Sequence, residues 1–182
     1  MKYDFLPKIN RANGFTLVEL LAYLFITCML LIMIVSLVMN IFYARKKFQV
    51  SDAVDSNARY IMNFVLNKVH NVDIISDGGG DPANVYFYNL PSYRFNLALE
   101  SNNLFFRQTE DTGSGFPDQS TATPLSLNTK NVRVSDFSLV PLADNRGEEN
   151  QGVLISFTIA AGDPSDPKSF AQKSFNTFLS IR

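Results

Sequence analysis

One long stretch without a charged residue limits what this chain can fold into. It runs from Leu20 to Ala44, covers 25 of the 182 residues, and would be apolar on all sides as a helix. A helix rises about 1.5 Å per residue, so this one exceeds the roughly 30 Å hydrocarbon core of a bilayer. A helix on the surface of a soluble protein would show a single apolar stripe instead. The stretch therefore predicts a membrane-spanning helix.

Basic residues border this stretch at both ends. Three precede it and three follow it, namely Lys2, Lys8, Arg11, Arg45, Lys46 and Lys47. No small-residue cleavage site of the secretory kind follows the apolar run, so we expect the helix to be retained. The positive charges on both sides leave its orientation open.

The segment that leads into the apolar stretch has a distinctive sequence, RANGFTLVELL, at residues 11–21. It resembles the cleavage motif of type IV pilins and pseudopilins. The resemblance implies that residues 1–14 are a basic leader and that prepilin peptidase cuts after Gly14. It also implies that Phe15 becomes the N-terminal residue and is N-methylated.

The same resemblance implies an orientation and a division of the chain. Residues 15–44 would form a transmembrane and assembly segment, and residues 45–182 a periplasmic or extracellular head. The leader would lie inside, in a single-pass inner-membrane protein that moves into a pilus or pseudopilus. The implied partners are the peptidase and N-methyltransferase, other pilins or pseudopilins, the inner-membrane assembly platform and membrane lipid.

Glu19 is an ionisable residue at the start of the apolar stretch. An unpaired charge in such a place costs on the order of several kcal/mol, so we expect Glu19 to have a partner. In a pilin-like filament, the amine exposed on Phe15 of a neighbouring subunit would supply it. The start of a helix also favours an acidic side chain. The open alternative is a signal-anchored protein in which Glu19 reaches the interface and Gly14 only ends the leader.

A second helical pattern follows the apolar stretch. Apolar residues recur every three or four positions at Val54, Ala58, Ile61, Val65, Val69 and Val72. Polar residues occupy the opposite face at Asp52, Asp55, Arg59, Asn63, Asn67 and His70. The sequence DGGGDP at residues 77–82 contains helix-stop and turn signals, so we expect the helix of residues 45–75 to end near Ile75.

Alternating patterns then predict strands. They cover residues 85–90, 93–99, 104–108, 132–140, 153–160 and 170–181. Polar loops are expected at residues 110–124 and 144–151. These patterns predict an α+β fold in which the helix packs on a small antiparallel sheet spanning residues 84–182. This arrangement resembles the pilin fold.

Three segments of the head have a more particular resemblance. Residues 103–107, 123–137 and 175–182 resemble minor pseudopilins of the J type and minor pilins of the W type. The function that this implies is a structural, minor subunit of a type IV pilus or a type II secretion-like pseudopilus. The alternative is a single-pass anchored binding module that does not polymerise.

Catalytic and metal chemistry has little support in the sequence. The single cysteine, Cys28, excludes an intrachain disulfide, and with the single histidine, His70, it cannot build a typical zinc site. His70 near Asp73 suggests a proton-transfer pair, but a solvated histidine is the favoured interpretation. We predict no catalytic residue, no metal site and no cofactor.

Other candidate sites also have simpler interpretations. The acidic segments at residues 77–81 and 163–166 could offer oxygen ligands to calcium, but they lack EF-hand spacing, so plain turns are favoured. A group of aromatic residues could form a stacking platform, although a sheet core is favoured, namely Tyr86, Phe87, Tyr88, Tyr93, Phe95, Phe105 and Phe106. Removal of the leader leaves 13 basic and 16 acidic residues. This balance argues against a basic groove for nucleic acid, though not against a local patch.

Overall fold

The structure is a computed structural model, and it describes residues 16–76, 81–142 and 152–180. Within these ranges one long helix, α1 (Leu17–Val69), precedes eight strands. The strands are β1 (Ile74–Ile75), β2 (Tyr86–Asn89), β3 (Tyr93–Glu100), β4 (Asn103–Glu110), β5 (Leu125–Ser126), β6 (Val132–Leu142), β7 (Gly152–Ala161) and β8 (Ala171–Ser180). Two short 3₁₀ helices cover Pro82–Asn84 and Gln119–Thr121.

The chain divides into two compact units, Met1–Phe42 and Tyr43–Arg182, which we call the stem and the head. In the described ranges, α1 is the helix whose length and composition would allow it to cross a membrane. Its apolar window contains no residue buried within the protein. The expected membrane-spanning helix is therefore present as an uninterrupted helix.

The head contains two antiparallel sheets. One has five strands in the order β1-β2-β3-β4-β5, and the other has three in the order β6-β7-β8. The prediction of a single sheet was wrong. A turn closed by the Val132 N–H and the Thr129 carbonyl, 3.0 Å apart, precedes β6, which then pairs with β7 and not with β5. Alternation in a sequence reports which face of a strand is buried, but not which strand it pairs with.

The amphipathic part of α1 packs on both sheets. Its buried residues Val54, Ile61 and Val65 belong to the same apolar cluster as Phe95 of the five-stranded sheet and Phe157 of the three-stranded sheet. The polar residues expected on the opposite face are exposed, except that Asp55 is half-buried. The predicted α+β class, with a long helix packed on antiparallel strands, is confirmed.

The helix ends at Val69, so the predicted end near Ile75 was wrong. The chain tightens at this point, because Val72 N–H donates to the carbonyl of Val69 at 3.1 Å. Ile74 and Ile75 then form β1, which pairs with β2. Val72 is buried, as its place in the apolar pattern predicted, and Ile75 is buried as well, but both reach the core without being helical.

Several predicted features fall wholly or partly outside the described residues. These are the leader, the glycine turn at residues 77–80, the loop at 144–151 and the last residues of the chain, 181–182. The polar loop expected at residues 110–124 is described and is mostly exposed. It also holds the second 3₁₀ helix, whose Gln119 is buried.

Candidate functional site

The first turn of α1 is fixed by Thr16. Its side-chain oxygen accepts a hydrogen bond from the Glu19 N–H at 3.3 Å, and its carbonyl accepts one from the Leu20 N–H at 3.2 Å. Thr16 therefore caps the helix and satisfies one of its free N–H groups. This places Glu19 in the first turn, where the helix dipole favours a negative charge. The cap was missed in the sequence, although the spacing of Thr16 and Glu19 is that of a capping box.

The remainder of the described stem is uncovered. Every residue from 16 to 42 is exposed within the chain, including Phe25, whose exposure is 71%. An apolar surface of this extent needs lipid or another protein to cover it. Thr27 is compatible with lipid, because its hydroxyl lies 2.9 Å from the carbonyls of Tyr23 and Leu24. Its polar group is thus satisfied within the helix itself.

In a comparison with known protein families, the chain matches the prokaryotic N-terminal methylation motif. The match covers residues 9–35, which include the capped turn and the first half of the apolar stretch. It supports a type IV pilin-like precursor, a structural class of protein. Neither a curated protein sequence nor a solved structure matches the chain.

The methylation motif and the exposed apolar helix together indicate a membrane-anchored protein. In general terms, such a motif implies processing by prepilin peptidase and assembly with other pilins. Gly14 and Phe15, the residues predicted to flank the cut, lie outside the described residues. Glu19 lies inside them and is exposed.

His70 and Asp73 do not form a visible acid–base pair. His70 is exposed just after the end of α1. The carboxylate of Asp73 instead accepts the Leu90 N–H at 2.8 Å, which joins the end of the helix to the turn after β2. Asp73 therefore has a structural role, and the solvated interpretation of His70 agrees with the structure.

The acidic segment at residues 163–166 forms turns stabilised by its own side chains. Asp163 accepts from the Ser165 N–H and hydroxyl, and Asp166 accepts from the Ser169 hydroxyl at 2.6 Å. These hydrogen bonds lower the pKa of both carboxyl groups. Among the described residues no group of three or more His, Cys, Asp or Glu side chains could hold a metal ion.

The aromatic residues of the five-stranded sheet mainly fill the core. Phe87 and Phe95 are buried and stacked, with ring centroids 4.8 Å apart, and Phe106 lies 5.3 Å from Phe95. Tyr86 is half-buried, and its ring lies 4.9 Å from the guanidinium carbon of Arg94. The core interpretation holds for the three phenylalanines, whereas the outward-facing tyrosine takes part in a cation–π contact.

Proposed function

We propose that the chain is a structural subunit of a type IV pilus or a type II secretion-like pseudopilus. The observation that carries this proposal is the methylation motif at residues 9–35, which runs directly into an uncovered apolar helix. Prepilin peptidase removes residues 1–14 by cutting after Gly14, and Phe15 is then N-methylated. The head performs no catalysis in this proposal.

Glu19 provides the docking charge in this proposal. Its carboxylate lies in the first turn of α1, where all the described residues of the stem are exposed. If assembly covers this surface, burying the Glu19 charge without a partner would be costly. Cleavage after Gly14 creates an amine on Phe15 that could pair with Glu19 of an adjacent subunit. Loss of one partner of a buried ion pair costs about 3–5 kcal/mol. Glu19 therefore contributes to assembly and not to cleavage.

The membrane orientation follows from the same assignment. Residues 1–14 lie in the cytoplasm, residues 15–44 cross the membrane, and residues 45–182 lie outside. The subunit then contacts the inner-membrane assembly platform and other pilins. The resemblance of three head segments to J-type pseudopilins and W-type pilins favours a minor subunit.

The first test is the mass of the purified chain from a host that has the peptidase. A mature protein that begins at Phe15 and carries one added methyl group is expected. Gly14→Leu should keep the leader, because a bulky side chain blocks close approach of the protease to the backbone. Normal cleavage of Gly14→Leu would contradict the assignment of this position, and a native chain that retains Met1 would favour the anchored, non-polymerising module.

The second test separates docking from helix capping. Glu19→Ala and Glu19→Gln should both be cleaved normally, and both should be depleted from sheared filaments, since neither supplies a negative charge. Asp52→Ala, which removes an acidic residue from the exposed face of α1 in the head, is the matched control and should assemble normally. Normal assembly of Glu19→Gln would show that the charge is not the docking group.

A further inference from the structure

The basic residues of the head are unevenly distributed. We define the base of the head as residues 43–50, 129–133 and 162–169. The base has six basic residues and two aspartates, whereas the rest of the described head has five basic and nine acidic residues. The basic residues of the described head are therefore concentrated in these three segments.

The three segments of the base meet in space. Lys46 Nζ lies 4.0 Å from the carboxylate of Asp166, which joins α1 to the loop after β7. Arg133 Nη2 donates to the carbonyl of Gly162 at 2.8 Å, which joins the start of β6 to the same loop. Segments that are far apart in the sequence thus lie next to one another.

A groove of about 570 Å³ opens at the base of the head. Its lining includes Gln49 and Val50 of α1, the basic residues Lys130 and Arg133, and Gly162. Lys130 and Arg133 are exposed, so their charges are accessible. Arg133 makes one hydrogen bond to Gly162, and its planar group has further N–H donors suited to a phosphate.

Aromatic residues accompany the charges. Phe48 is 75% exposed, and the ring of Tyr43 lies 4.4 Å from Lys168 Nζ. Aromatic and basic side chains together are typical of a membrane–water interface. In the sequence, the first segment of the base overlaps the end of the charge-free stretch at Tyr43 and Ala44. Because the base adjoins the segment that is predicted to cross the membrane, we infer that its partner is a lipid surface.

We propose that the base of the head binds the phosphate groups of anionic phospholipids, with Lys130 and Arg133 as the contacts in the groove. The acidic remainder of the head is repelled by the same surface, so the charge distribution favours the base as the face toward the lipid. The proposal rests on the membrane anchoring given above but not on assembly into a filament.

Native mass spectrometry of the full chain in neutral detergent tests this proposal. The chain is mixed with equal amounts of phosphatidylglycerol and phosphatidylcholine, and the ratio of the two bound lipids is measured. Phosphatidylglycerol should be preferred by the native chain. In the double variant Lys130→Gln/Arg133→Gln the preference should fall about fivefold for each charge removed.

Two further variants control for net charge and for folding. Arg59→Gln/Lys68→Gln loses the same charge outside the base and should keep the native preference. Lys130→Arg keeps the charge and leaves Arg133 in place, so it should also retain the native preference. Equal binding of the two lipids by the native chain would overturn the proposal. It would also be overturned if the two glutamine double variants lost the preference for phosphatidylglycerol equally. Displacement of phosphatidylglycerol by duplex DNA would overturn it in favour of nucleic acid. None of these three results would contradict the proposed membrane anchoring.

Discussion

At the scale of single residues, Asn128 is the polar side chain that joins the two sheets. It is 7% exposed and lies between β5 and β6. Its Oδ1 accepts the Leu104 N–H at 2.8 Å, and its Nδ2 donates to the Val132 carbonyl at 2.6 Å. Leu104 belongs to the five-stranded sheet and Val132 to the three-stranded sheet. This amide group therefore adds side-chain hydrogen bonds between the two sheets to the backbone hydrogen bond from the Val134 N–H to the Asn102 carbonyl, at 2.9 Å.

Asn128→Ala should lower the free energy of unfolding of the head by about 2–4 kcal/mol, because it leaves two backbone groups without a partner. Asn131→Ala, at an exposed position in the following turn, is the control and should change it by less than about 0.5 kcal/mol. Urea unfolding of the full chain in micelles, followed by near-ultraviolet circular dichroism, measures both. Equal stability of the two variants would show that the bridge is not needed.

Two glycines allow the cost of backbone strain to be compared with the cost of a steric clash. Gly113 and Gly162 both have positive φ, 80° and 87°. A Cβ on Gly113 would meet nothing within 4 Å, whereas one on Gly162 would lie 1.7 Å from the Ser169 carbonyl oxygen. Gly113→Ala should therefore cost about 1 kcal/mol, and Gly162→Ala about 3 kcal/mol or more. Thermal unfolding of the two variants checks this, and a smaller loss for Gly162→Ala would contradict the described conformation of the loop.

At the scale of elements, the stability of the head depends on one face of α1. Ile61 is 1% exposed within the core, whereas Leu66, on the same helix, is 45% exposed. Ile61→Ala should cost about 2–5 kcal/mol through lost burial and a cavity. Leu66→Ala removes a similar side chain that is only partly covered and should cost less, about 1 kcal/mol. Similar losses in urea unfolding would mean that this helix face is not the one packed on the sheets.

The longer strands could be predicted because alternation extends over several residues. The predicted bounds of β2, β3, β4, β6, β7 and β8 lie within two residues of those observed. The strands β1 and β5 have two residues each, which is too short for any period to be seen. The end of α1 was misplaced because Val72 and Ile75 continue the apolar spacing of the helix while lying in a turn and a strand. Burial at a helical spacing does not require a helix.

The two candidate sites differed in how far the sequence could reveal them. The candidate site in the stem is a contiguous segment, so its motif and Glu19 were visible in one reading of residues 11–21. The base of the head is assembled from three segments that are separated by 78 and by 28 residues of chain, with Lys46, Lys130 and Lys168 in different segments. The overall acidic balance concealed this local positive patch. Its formation depends on strand pairing that the sequence pattern did not specify.

At the scale of the whole molecule, the described residues show two kinds of surface. In the stem, the apolar side chains of α1 are exposed on all sides of the helix. Such a surface is expected for a helix that is surrounded by lipid or by other helices. In the head the apolar residues form a core, and the buried members of this core all lie at or after Val54. The head should therefore not need the stem in order to fold.

A fragment of residues 46–182 should accordingly be soluble and monomeric, since it retains the whole described core. A fragment of residues 59–182 is the matched control. It lacks Val54 and Ala58, which are 2% and 1% exposed, and Asn57, whose Oδ1 accepts the Thr129 N–H at 3.1 Å. This second fragment should aggregate or lack fixed tertiary structure, because its sheets lose part of their cover and one backbone group loses its partner.

Light scattering after gel filtration and the dispersion of amide signals in nuclear magnetic resonance spectra distinguish the two outcomes. Aggregation of the longer fragment would show that the core extends into the stem, and a folded shorter fragment would show that the first turns of α1 in the head are dispensable.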